Sequence, residues 1–137
     1  MAHEYSDPQA GTELQIVAGR SIGPLRLGMA RQEIERMQLD ADGLGLWIAY
    51  DSNDRCAKLS VRVFNNPIRV ILAGTVLNDI DAERARALFG KIAGTLHDRY
   101  AGFDIPSAGI SAVKWEASDD WIDSILVVAP ERERSAG

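Results

Sequence analysis

Short apolar runs, each bounded by turn-forming residues, constrain the fold of this chain more than any other feature of its sequence. Apolar and polar residues alternate over 56–64, and an apolar run at 44–50 precedes them across the polar stretch 51–55. Alternation with a period of two is typical of a strand with one buried face. Two such runs joined by a polar turn predict a β-hairpin.

Three further segments also have the character of strands. After the turn residues 65–67, the β-branched run 68–77 predicts a third strand that continues the hairpin as a meander. The runs 110–116 and 121–128 flank the turn segment Ala117-Ser118-Asp119-Asp120 and predict a last hairpin. A weaker alternation over 14–18 predicts a short first strand, and we detect no internal repeat in the sequence.

Two segments have helical periodicity instead. Apolar residues at helical spacing over 81–100, with charged residues between them, predict the longer helix, and Asp81 suits its N-terminus. Met29, Ile34 and Met37 predict a short helix. Together these elements predict an α+β fold in which two helices pack on one face of a five- or six-stranded, mostly antiparallel sheet.

The length of the chain and the polarity of its ends predict the domain organisation. A chain of 137 residues fits one domain with a sizeable core. Both ends are polar, and the C-terminal one begins Glu-Arg-Glu-Arg. We therefore expect flexible tails at 1–12 and 131–137 around a single α+β domain at 13–130.

Charge and composition limit the classes of partner. The formal net charge is −5, and because binding to phosphates requires clustered cations, we expect no nucleic-acid partner. An acidic surface favours approach to a basic protein instead. The sequence has no apolar run of membrane-spanning length and no secretory leader pattern, and its single cysteine, Cys56, has no partner for an intrachain disulfide. We therefore expect no membrane partner and a cytoplasmic location.

Residue types that catalyse reactions or hold metals are sparse. The two histidines, His3 and His97, have no metal-ligand spacing. A serine or cysteine nucleophile needs a histidine base within reach, and the sequence offers no evident pair. Cys56, at the start of a predicted strand, fits a small buried hydrophobe. We expect a protein that is not an enzyme, without catalytic residues, cofactor or metal; an enzyme that depends on His97 is the third alternative.

The last predicted hairpin combines carboxylates with tryptophans. Acidic turn residues are often only solubilising, and tryptophans in strands usually belong to the core. Counting with a period of two from Val113 gives Trp115 in particular a buried alternative. On an open surface, however, aromatic and acidic side chains together fit a docking site for a basic protein. The candidate partner-binding residues are Trp115, Glu116, Asp119, Asp120, Trp121 and Asp123.

A glycine-rich segment leads into the short helix. Residues 19–29 read Gly-Arg-Ser-Ile-Gly-Pro-Leu-Arg-Leu-Gly-Met. The segment lacks both the Lys-Ser/Thr ending of a phosphate-binding loop and the spacing of dinucleotide-binding glycines. We expect its glycines to shape a turn while Leu25 and Leu27 enter the core.

With the hairpin segment 48–59, this glycine-rich segment resembles a pattern in small bacterial immunity-type proteins of polymorphic toxin systems. The resemblance implies a protein that binds and neutralises a cognate toxin, but it carries over no binding residue. The chain departs from the pattern at Ala30, where such loops usually have a Ser or Thr that caps the helix. The favoured hypothesis is therefore an immunity protein that occludes a basic toxin. The alternative is a non-enzymatic structural or assembly module that self-associates through its sheet as a homodimer.

Overall fold

A computed structural model of the protein describes residues 13–131. The strands in that range are β1 Glu13–Val17, β2 Ser21–Ile22, β3 Leu25–Arg26, β4 Leu46–Tyr50, β5 Cys56–Arg62, β6 Arg69–Leu72, β7 Thr75–Val76, β8 His97–Arg99, β9 Gly102–Ile105, β10 Ile110–Val113 and β11 Ser124–Val128. The α-helices are α1 Arg31–Arg36, α2 Ala41–Leu44 and α3 Ala82–Phe89. The predicted tails lie outside the described residues, except for Glu131.

The strands form two sheets. The first has the order β3-β2-β1-β6-β7, and the second has the order β4-β5-β11-β10-β9-β8. Every named strand pair is antiparallel except β1 with β6. The prediction of an α+β fold with mostly antiparallel strands is confirmed. The packing of two helices on one face of a single sheet is not, because the strands divide between two sheets and only α3 is longer than 6 residues.

Two predicted hairpins are present and one predicted pairing is wrong. Strands β4 and β5 form the first antiparallel pair, and β10 and β11 form the last. The meander breaks after β5, because β6 pairs with β1 in parallel. The side-chain amide of Asn66 donates to the carbonyls of Leu44 and Arg62 at 3.1 and 2.7 Å and accepts from the Ile68 N–H at 3.0 Å. These bonds turn the chain away from β5 before β6 begins.

The longer helix is shorter than its periodicity predicted. It ends at Phe89, well inside the predicted range 81–100. The chain then turns through Gly94, whose φ of +126° is one that residues with a side chain rarely adopt. A Cβ at Gly94 would lie 2.4 Å from the Ser107 Oγ, so the chain also passes very close to its neighbour there. The segment that follows is the edge strand β8, which begins at His97.

Buried side chains from both sheets form the core. The glycine-rich segment contributes Ile22 and Leu25, which are both fully buried. Gly23 has a φ of +58°, and a Cβ there would lie 2.6 Å from Leu14 Cδ2. Leu25 therefore enters the core as expected, whereas Leu27 is only half-buried and packs against it. Helix α1 begins after Ala30, which as expected provides no side-chain cap.

The order of elements in the first half of the chain recurs in the second half. Each half has a strand with a short antiparallel partner (β1 and β2, then β6 and β7), followed by a helix (α1, then α3) and a hairpin (β4 and β5, then β10 and β11). The two halves meet twice, where β1 pairs with β6 and where β5 pairs with β11. The fold therefore has a partial internal repeat of topology that the sequence does not reveal; β3 and α2 in the first half, and β8 and β9 in the second, have no counterparts.

Backbone hydrogen bonds at the start of each helix follow the same repeat. In both halves the helix start is bonded to the residues that lead into the last strand of that half. The first-half bonds are Cys56 N–H to Met29 O, 2.8 Å, and Arg31 N–H to Asp54 O, 2.8 Å. The second-half bonds are Ile122 N–H to Ile80 O, 3.1 Å, and Ala82 N–H to Asp120 O, 2.7 Å. No helix within 13–131 is long and apolar enough to cross a membrane.

Candidate protein-binding site

The two halves differ in the loop that joins their last two strands. In the first half, residues 51–55 form a tight turn in which the Asp51 carboxylate accepts from the N–H groups of Asn53 and Arg55 at 2.8 and 3.1 Å. The second half has a longer connection, residues 114–123, and all six predicted site residues lie in it. We call residues 114–123 the tryptophan loop. Like β8 and β9, it is a part of the second half that the repeat does not account for.

The C-terminal side of the tryptophan loop is fixed against the start of α3. Asp120 accepts a hydrogen bond from the Ala82 N–H through its carbonyl, and Ile122 donates to the carbonyl of Ile80. Ile122 is fully buried. Asp120 and Ile122 therefore anchor the loop, and Trp121 between them is presented to solvent in a defined position.

Trp121 forms an exposed aromatic pair with Phe64. The ring centroids are 5.4 Å apart and the planes are 11° from parallel, and the two residues are 41% and 37% exposed. The N–H groups of Val63 and Phe64 both donate to the carbonyl of Asp123, at 2.8 and 3.2 Å, which holds Phe64 beside the loop. The sequence analysis missed Phe64, because its contact with Trp121 depends on the pairing of β5 with β11.

Trp115 is presented to solvent near the other end of the loop. It is 78% exposed, so the buried alternative is wrong: β10 ends at Val113 and the period-two count does not extend to Trp115. The residues after it form a turn of their own. The Asp119 carboxylate accepts from the Glu116 N–H, and the Asp119 N–H donates to the Glu116 carbonyl, both at 3.0 Å. This turn orders the segment that carries Trp115.

The carboxylates of the loop differ in their availability. That of Asp119 is used within the loop. Those of Glu116, Asp120 and Asp123 make no hydrogen bond or ion pair with another described residue. Glu116 and Asp120 are exposed and Asp123 is half-buried. Exposed carboxylates without a partner are available for pairing with the cations of another protein.

Helix α3 extends this acidic surface. Its first residues include Asp81, the N-cap, whose carboxylate accepts from the Arg84 N–H at 2.7 Å. Sequence reasoning predicted Asp81 as a cap but had no local signal that would place it beside the last hairpin. The charged residues that line the shallow depression between α3 and the loop are Asp81, Glu83, Lys114, Asp119 and Asp120.

Groups with potential for catalysis lie away from the loop. His97 is exposed on the edge strand β8, not on a helix as its sequence context predicted. Cys56 is the small buried side chain expected, and burial raises the pKa of its thiol. Within 13–131 no three or more His, Cys, Asp or Glu residues are placed to hold a metal ion. His3 lies outside the described residues.

Two other aromatic side chains are exposed outside the loop. Tyr100, in the turn between β8 and β9, is 91% exposed, and Trp47, on β4, is 56% exposed. Trp47 lies on the face of the six-stranded sheet that points away from the core. Neither residue belongs to the surface formed by the tryptophan loop, Phe64 and the start of α3.

The chain was compared with protein-family models, curated proteins and solved structures. None of these matches it. Its function is therefore argued from the geometry of the site and from the residues themselves.

Proposed function

We propose that this chain is a cytoplasmic immunity-type protein that binds a basic bacterial toxin through the tryptophan loop and neutralises it by occlusion. The observation that supports the proposal most is the exposure of Trp115 and of the Trp121–Phe64 pair next to unpaired carboxylates. Exposed aromatic residues in a defined position are typical anchors of protein interfaces.

The aromatic residues supply the affinity in this proposal. A tryptophan that enters a pocket of the partner commonly contributes about 2 kcal/mol or more to binding. The turn at Glu116 and Asp119 and the hydrogen bonds of Asp120 and Ile122 order the loop before binding. An ordered loop loses less conformational entropy on association than a flexible one.

The carboxylates supply orientation and speed. Toxins that act on nucleic acids need clustered cations to bind phosphates, and their substrate-binding surfaces are basic for that reason. An acidic loop on a chain with a net charge of −5 attracts such a surface. When Glu116 and Asp120 pair with the cations of the toxin surface, they block the positions that the phosphates of a nucleic acid would take.

The proposal is tested with the product of the neighbouring gene, which is the candidate toxin. We expect a 1:1 complex by isothermal titration calorimetry at micromolar concentrations, and weaker binding for the loop-reversed variant, Glu116→Lys with Asp120→Lys. The matched control is Glu33→Lys with Glu35→Lys, which makes the same change of charge at exposed positions of α1. Absence of binding by the unmodified chain would count against the proposal, and equal weakening by both variants would place the site elsewhere.

A further inference from the structure

One face of the six-stranded sheet keeps part of its side-chain surface exposed. We call this face the open face. The strand register places one residue of each strand side by side across it. That row consists of Trp47, Ser60, Leu126, Ser111, Asp104 and His97. All six are exposed or half-buried.

The opposite face of the same sheet is buried. Val61, Ile125 and Val127, which alternate with residues of the open face, have no exposed surface. Strand β2 contacts β5. The ring of Phe89, from α3, packs edge-on against the ring of Phe103, from β9, with the ring centroids 5.1 Å apart. Packing in the core therefore accounts for the burial of one face of the sheet, and the other face is available for a partner.

The charge of the open face is opposite to that of the tryptophan loop. Lys58 and Arg62 of β5 are exposed there, and neither forms an ion pair with another described residue. Arg99 also lies on this face and is paired with Asp104 at 3.0 Å. Cations therefore outnumber carboxylates on the open-face positions of the strands, although the whole chain has a net charge of −5.

The centre of the open face combines apolar side chains with small polar ones. Val113, Leu126 and Val128 are half-buried there, and their neighbours Ser60, Ser111 and Ser124 are small. Trp47 stands at one edge of the face and is 56% exposed. Such a surface offers apolar contact to a protruding aromatic side chain, with the cations of β5 close by.

We infer that the open face is the docking site for the tryptophan loop of a second copy of this chain, so that copies associate head to tail. The loop presents Trp115, Glu116 and Asp120, which complement the apolar centre and the free cations of the face. An alternative in which two open faces meet with β5 against β5 would bring Lys58 and Arg62 of both copies together, which like charges oppose. A head-to-tail contact is heterologous, and it extends into chains unless its rotation closes a ring.

The net negative charge of each copy does not prevent this contact. At an ionic strength of about 0.1 M, charges more than about 10 Å apart are largely screened. Carboxylates and cations that touch across the contact are screened less than the remaining charges of the two molecules. Both contacts use the tryptophan loop, so a toxin and a second copy would compete for it. Sedimentation of the chain alone and titration with the neighbouring gene's product are separate measurements, and either association can fail without the other.

Sedimentation velocity on the full chain tests this inference, with the chain itself as the probe. We expect the weight-average sedimentation coefficient to rise with protein concentration. Two variants should each associate at least about tenfold more weakly: the face-reversed variant, Lys58→Glu with Arg62→Glu, and the loop-reversed variant, Glu116→Lys with Asp120→Lys. A mixture of the two should associate again, because each supplies the charge that the other lacks.

Matched controls separate this contact from a general effect of charge. Arg36→Glu with Lys91→Glu makes the same change as the face-reversed variant, at exposed positions outside the open face, and it should associate like the unmodified chain. Circular dichroism establishes that each variant is folded. The inference is overturned by an unmodified chain that stays monomeric at all concentrations, by a mixture that does not associate, or by a control that loses association.

Discussion

The indole of Trp121 stacks on the ring of Phe64, with the centroids 5.4 Å apart. Phe64 follows β5 and Trp121 precedes β11, and these two strands pair at the junction of the repeated halves. The stack therefore lies where the two halves meet, yet more than a third of each residue remains exposed. Rigid support combined with exposure is what a binding anchor requires.

Replacement of Trp115 by alanine should weaken binding of the proposed toxin without affecting stability. Trp115 is 78% exposed, so its loss removes contacts with the partner but few within the chain. We expect a loss of about 2 kcal/mol in binding free energy by calorimetry and an unchanged melting temperature. Tyr100→Ala, at a residue that is 91% exposed outside the loop, is the control and should bind normally. Equal loss in both variants would contradict the placement of the anchor.

A double-mutant cycle on Phe64 and Trp121 should detect their stacking. Each alanine variant alone is expected to lower the free energy of unfolding, and the double variant should lower it by less than the sum. The difference should be about 0.5–1.5 kcal/mol, which is the usual range for aromatic pairs. Urea denaturation measures all three variants, and strictly additive effects would show that the two rings contribute independently.

Asn66→Ala should destabilise the link between the two halves. Asn66 is 8% exposed, and its side chain makes three hydrogen bonds to backbone groups. Its removal leaves those backbone groups without their hydrogen-bond partner, and we expect the free energy of unfolding to fall by about 2–4 kcal/mol. Asn53→Ala, at an exposed turn position, is the control for urea denaturation. A fall of less than about 1 kcal/mol would mean that water replaces the lost amide.

Two glycine variants should separate steric clash from backbone strain. A Cβ at Gly102 would lie 2.0 Å from the Ala112 carbonyl oxygen, whereas one at Gly28 would have no atom within 4 Å. Both positions have a positive φ, so Gly28→Ala should cost only the conformational penalty of about 1–2 kcal/mol. Gly102→Ala should cost at least about 2 kcal/mol more, measured by thermal denaturation. Equal costs would show that β9 and β10 move apart easily.

The ion pair between Arg86 and Asp98 should be visible in a pH titration. The hydrogen bond from Arg86 holds the pKa of the Asp98 carboxyl below its ordinary value. A lowered pKa means that the pair stabilises the fold above the ordinary pKa and that this contribution is lost as the pH falls through the lower, folded-state value. The carboxyl-carbon NMR signal of Asp98 should titrate at low pH. The variant Arg86→Gln should raise the pKa of Asp98 towards its ordinary value. An unchanged midpoint in that variant would rule out this cause.

Local patterns predicted the hairpins correctly and the length of the longer helix incorrectly. Alternation over 56–64 and the polar turn before it were sufficient for the β4–β5 hairpin, because both strands and their turn lie in one segment. The periodicity over 81–100 was misleading, because the helix ends at Phe89, and the chain then passes close to Ser107 at Gly94 and forms the edge strand β8, which pairs with β9. Pairing of β6 with β1 likewise depends on the turn at Asn66, which the sequence marks only as a turn.

The binding role of the six candidate residues stays a prediction, and the geometry around them was not predictable from the sequence. All six predicted residues lie in the tryptophan loop, since they were chosen from one continuous segment. Phe64 and Asp81 join them only through tertiary contacts. The topological repeat left no trace in the sequence for a related reason: the equivalent helix-start residues are Arg31 and Ala82, and they share only backbone hydrogen bonds.

Hydrogen–deuterium exchange on the complex with the neighbouring gene's product tests the proposed binding surface most directly. At a protein concentration at which the free chain is monomeric, we expect new protection in peptides that cover the tryptophan loop and Phe64, and no change at Lys58 and Arg62 on the open face. Protection confined to the open face, with the tryptophan loop exchanging as in the free chain, would contradict the proposal.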